Sequence, residues 1–93
     1  MNNIPKNWKL VEDYDGNFIY ENIGAEFQIS IDFTEQLQPP YSIYFNQLQG
    51  TFTKIGIEDG AYSTHAFSET EALQKAVEMM EFINRRAAPA QSV

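Results

Sequence analysis

The side chains of this 93-residue chain that could do acid–base chemistry are one histidine and two clusters of acids. His65 could act as a general base only with a nucleophile and an orienting acid within hydrogen-bond reach. A hairpin turn expected at Asp59-Gly60 places Lys54 opposite His65, with Ser63 on the same face, and these three do not make a triad. We therefore interpret His65 as a surface histidine, and the sequence predicts no catalytic residue and no enzyme.

The two acid clusters could offer oxygen ligands to a hard cation such as Ca²⁺. They are Glu12-Asp13-Asp15 and Glu58-Asp59. Neither has the ligand spacing of a calcium loop with its distal glutamate, and both lie at expected turns, where acids are favoured for backbone reasons. The chain has no cysteine to supply a thiolate ligand. The sequence predicts neither a metal nor a cofactor.

Large rings are spread over the predicted strands and could bind a partner. Exposed rings can stack the bases of single-stranded nucleic acid, but such surfaces normally lie in a basic groove. Here six basic residues stand against thirteen acids, a net charge of −7 that opposes binding to a phosphate backbone. The predicted partner-binding residues are Trp8, Phe18, Tyr20, Tyr44, Phe52 and Phe67.

The length and composition favour a single globular domain over residues 1–93, with a short arm at 1–6 and a flexible tail at 87–93. No run approaches the roughly 18 apolar residues of a membrane span. The first residues lack the apolar stretch of a signal peptide. These observations favour a cytoplasmic protein without a membrane partner.

The segment that must position the rest is a helix expected over 68–86. Ser68 and Glu71 have the spacing of a capping box, which satisfies backbone donors at a helix start. Apolar residues then recur at steps of three and four, and Met79 and Phe82 widen the stripe. The residues of the predicted stripe are Leu73, Ala76, Val77, Met80 and Ile83.

Strand patterns precede this helix. Asp15-Gly16 between apolar residues is typical of a type I′ hairpin turn, and it predicts the pairs Asp13–Phe18 and Val11–Tyr20. In that register Trp8, Leu10 and Ile19 are expected to be buried. Two further strands alternate with period two, and Asp59-Gly60 marks another hairpin. The apolar residues of those two strands are Phe27, Ile29, Ile31, Phe33, Tyr41, Ile43 and Phe45.

Together these elements predict an α+β fold, an antiparallel meander of five to six strands with one C-terminal helix packed across one face. One helix cannot cover so wide a sheet, so apolar surface is left for a partner. The leading hypothesis is therefore a small non-enzymatic interaction or regulatory domain that binds a protein partner, a homodimer being one form. The alternatives are single-stranded nucleic-acid binding through an aromatic sheet face and, third, an enzyme with an unrecognised site.

Overall fold

The computed structural model describes residues 4–24, 26–47 and 63–87. Within these ranges the sheet follows chain order, with every neighbouring pair of strands antiparallel, and the helix packs on one face against β3, β4 and β5. This confirms the predicted α+β meander with a C-terminal helix. The predicted hairpin at Asp59-Gly60 lies outside the described residues. The elements are β1 Trp8–Tyr14, β2 Asn17–Asn22, β3 Phe27–Phe33, β4 Tyr41–Gln47, β5 Ser63–Ala66 and α1 Glu69–Ala87.

The first hairpin turns at Asp15-Gly16 as predicted. Both residues have positive φ, 49° and 82°, as a type I′ turn requires. Asp13 pairs with Phe18, but a β-bulge between Leu10 and Glu12 shifts the register, so that Leu10 faces Tyr20. The predicted Val11–Tyr20 pair was wrong, because the bulge adds a residue to β1 that an unbroken ladder does not count.

The bulge also decides which side chains of β1 share the buried face of β2. Trp8 and Tyr20 share the helix side and expose only 3% and 7% of their surfaces. Leu10, on the same side, is 44% exposed, and Ile19 lies half-buried on the outer face. The expectation that Trp8, Leu10 and Ile19 form the buried set was therefore right only for Trp8.

The centre of the sheet is the pair of strands β3 and β4. Ile29 pairs with Phe45 and Ile31 with Ile43, and all four side chains are fully buried beneath the helix. Alternation in both strands sends the polar residues between them to the outer face, as the period-two pattern predicted. These strands form the middle of the core.

The helix begins at Glu69, directly after Ser68, as the capping box predicted. The Ser68 Oγ accepts the Glu71 N–H at 3.1 Å, and a Glu71 carboxylate oxygen accepts the Phe67 N–H at 3.0 Å. The bond from Phe67 lowers the pKa of the Glu71 carboxyl. Lys75 lies 3.5 Å from this carboxylate and donates to the His65 carbonyl at 2.7 Å. The first turns of α1 are thereby held against β5.

The buried stripe of α1 differs from the predicted one by a small rotation. Leu73 and Val77, expected at its centre, are only half-buried. Small side chains take part of the centre, which allows the helix backbone to approach the sheet closely. A sequence period does not fix this rotation, because it depends on the surface against which the helix packs. The fully buried residues of α1 are Ala72, Ala76, Met79, Met80 and Ile83.

The far end of α1 is joined to the start of β1. The side-chain amides of Asn7 and Asn84 exchange two hydrogen bonds, at 2.8 and 3.0 Å. The Trp8 indole N–H also donates to the Asn84 amide oxygen, at 3.0 Å. The helix therefore runs diagonally, from the Ala66 end of β5 to the Trp8 end of β1. None of the described helical residues forms a segment long and apolar enough to cross a membrane.

Candidate functional site

The six residues predicted to bind a partner do not form one surface. Trp8 and Tyr20 belong to the core, so neither offers an accessible ring. Phe18 is half-buried and packs against the same core. Tyr44 lies half-buried on the outer face, and Phe67 is 68% exposed at the start of α1. The sixth residue, Phe52, lies outside the described residues.

The diagonal course of α1 leaves the helix side of the sheet open near the first hairpin turn. We call the surface formed by Leu10, Phe18 and Phe33 the open corner. Leu10 and Phe33 expose 44% and 37% of their surfaces there. The rings of Phe33 and Tyr41 lie 5.0 Å apart, and Gly16 lies so close that a Cβ on it would be 3.5 Å from the Phe33 Cβ. The open corner thus rests on the hairpin turn and on the end of β4.

Two residues of the open corner were missed by the sequence reasoning. Leu10 was expected to be buried in the first hairpin, and Phe33 was expected as an apolar residue of an alternating strand. Both lie on the face that carries the core, as their patterns predicted. However, α1 crosses this face from the Ala66 end of β5 to the Trp8 end of β1 and does not cover them. The only sequence signal for an open region was the mismatch between one helix and a wide sheet, which does not say where the opening falls.

Acidic side chains border the open corner. Asp13 pairs with Phe18 on the same face, and Glu69 is the first residue of α1. Burial raises the pKa of the Tyr20 hydroxyl above its ordinary value of 10.0, and the charges of Asp13 and Glu69 raise it further. Both charges therefore act on this one hydroxyl, and the exposed Asp13, paired with Phe18, gives the open corner an anionic border.

The outer face carries a hydrogen-bonded polar group on β3 and β4. The Tyr44 hydroxyl donates to the Asp32 carboxylate at 2.6 Å. This bond, together with burial, raises the pKa of Tyr44 above its ordinary value of 10.0, whereas a bond with the Ser30 side chain lowers it. Ser30 exposes only 5% of its surface. The arrangement stabilises neutral, protonated Tyr44 and leaves its ring unsuited to act as a free stacking platform.

Removal of the Tyr44 hydroxyl tests the hydrogen bond between Tyr44 and Asp32. Tyr44→Phe is expected to lower the free energy of unfolding by about 1 kcal/mol at pH 7, because Asp32 loses a donor. Because folding raises the pKa of Tyr44, the stabilisation that its hydroxyl gives to the wild-type protein is present below about pH 10. This stabilisation is lost as the pH rises through the pKa of the folded state. Urea denaturation at pH 7 and above pH 10 should therefore show the gap between Tyr44→Phe and wild type closing. A constant gap, or the same gap for the neighbouring Ser42→Ala, would contradict the assignment.

The same face brings Asp32, Ser42 and His65 into one row across β3, β4 and β5. These are the residue types of a hydrolytic triad, and the sequence reasoning, which placed Lys54 beside His65, missed the juxtaposition. Catalysis needs the histidine between the serine and the acid. Here Ser42 occupies the middle position, so Asp32 cannot orient the imidazole. Among the described residues no group of three or more histidines and acids could hold a metal ion.

A second uncovered region lies beside β5, at the opposite corner of the described sheet. It holds a cavity of about 250 Å³ lined by Ser63, Thr64, Lys75, Glu78 and Met79. The ammonium group of Lys75 is already engaged by the His65 carbonyl and Glu71. The cavity therefore offers less to a ligand than the open corner does.

Comparisons with protein families, with characterised proteins and with solved structures found no match to this chain.

Proposed function

We propose that this chain is a small non-enzymatic interaction domain that binds a protein partner at the open corner. The supporting observation is the exposure of Leu10 and Phe33 on the face of the sheet that elsewhere forms the core. Exposed apolar surface that adjoins a core and is bordered by charge is typical of protein-binding sites. A partner that covered Leu10, Phe18 and Phe33 would extend the core beyond the edge of α1.

The outer face of the sheet is a weaker candidate for a binding site. The alternative function, binding of single-stranded nucleic acid through that face, is weaker for the same reasons. Its acids Glu12, Glu21 and Asp32 stand against Lys9 and the exposed His65. Negative charge of this kind repels a phosphate backbone. The most exposed ring on the face is Tyr14, 66% exposed at the end of β1 and flanked in sequence by Asp13 and Asp15, and the half-buried Tyr44 has its hydroxyl held by Asp32. The apolar content and charge together favour a protein at the open corner over nucleic acid at the outer face.

A different protein fits the open corner better than a second copy of this chain. A twofold contact would bring the same acidic border together from both copies, each of which carries a net charge of −7. The edge strand β1 is also a poor template for pairing, because it contains a bulge and the charged residues Lys9 and Glu12. Sedimentation equilibrium at low and moderate salt separates the two cases, and a monomer is expected at both.

Binding at the open corner can be tested with peptides selected from a random phage-displayed library on the immobilised chain. Leu10→Glu is expected to weaken the selected peptides by at least about tenfold, because it places a charge in an apolar contact. Leu10 is 44% exposed, so the variant should fold, which circular dichroism would check. Isothermal titration calorimetry would give the affinities.

The matched control is Ile23→Glu, which alters another exposed apolar side chain, 67% exposed, in the turn after β2. It should leave the affinities unchanged. Equal losses for both variants, or no loss for Leu10→Glu, would place the binding surface elsewhere. Tight binding of oligo-dT with a steep negative salt dependence would favour the nucleic-acid alternative instead.

A further inference from the structure

We draw no further inference here: the strongest candidate, the cavity beside β5 lined by Ser63, Thr64, Lys75, Glu78 and Met79, carries none, because the Lys75 ammonium group is already engaged by the His65 carbonyl and Glu71, the other polar side chains of the lining are exposed or half-buried, and nothing in the structure shows what would fill it.

Discussion

Phe45→Ala is expected to lower the free energy of unfolding by about 3–5 kcal/mol, the largest effect of any substitution considered. Phe45 is fully buried on the central strand β4 and pairs with Ile29, itself fully buried. The helix packs on this strand and on its neighbours, so little of the surrounding structure can collapse into the space left by the ring. Urea denaturation followed by the fluorescence of Trp8, the single tryptophan, would measure the loss.

The control for Phe45→Ala is Asn46→Ala, the next residue on the same strand. Asn46 is half-buried and faces the outer side, so its truncation should change the stability by no more than about 0.5 kcal/mol. Leu73→Ala should cost less than Phe45→Ala, because Leu73 lies at the border of the helix stripe and not at its centre. Equal losses at Phe45 and Asn46 would contradict the burial of Phe45, and a larger loss at Asn46 would mean that β4 has the opposite face against the helix.

Asn84→Ala is expected to lower the free energy of unfolding by about 2–3 kcal/mol, the second largest effect. The substitution removes both amide bonds with Asn7 and the acceptor of the Trp8 indole. Trp8 exposes only 3% of its surface, so its N–H would be left buried without a partner. Leaving a buried donor unsatisfied has a larger cost than the net gain from an ordinary hydrogen bond. Denaturation should be followed by circular dichroism, since the variant alters the surroundings of Trp8.

The control for this prediction is Asn7→Ala. It removes the two amide bonds and keeps the bond from Trp8 to Asn84, so it should cost less, about 1 kcal/mol. Asn84→Asp keeps an acceptor for both the Asn7 amide and the Trp8 indole, and it should fall between the two alanine variants. Equal losses in Asn7→Ala and Asn84→Ala would show that the indole bond contributes nothing.

The Asn84 contact also bears on the proposed binding site. It holds the end of α1 over the start of β1, and the opposite end of the hairpin is uncovered as a consequence. The open corner and the direction of the helix are therefore one structural feature. If Asn84→Ala weakens peptide binding under conditions in which the variant remains folded, then the bonds of Asn84 with Asn7 and Trp8 shape the open corner as well as stabilising the fold.

Local patterns in the sequence were sufficient to predict the helix, the strands that the structure describes and their order along the chain. Asp15-Gly16 sets a type I′ turn because few other residues tolerate positive φ at two successive positions. Ser68 and Glu71 set the helix start, since their side chains satisfy backbone groups only a few residues away. Alternation in β3 and β4 set which side chains are buried. Each of these depends on atoms that are close along the chain, so each was predictable.

The tertiary structure decided the candidate site. The bulge between Leu10 and Glu12 changed the register of β1 and brought Trp8 and Leu10 to the face of Tyr20, which lies in the core because it pairs with Ile29. The bonds among Asn7, Trp8 and Asn84 join residues more than seventy positions apart and set the diagonal of α1. That diagonal leaves Leu10 and Phe33 exposed. No local pattern encodes this diagonal, because it depends on how the helix and the sheet pack as whole surfaces.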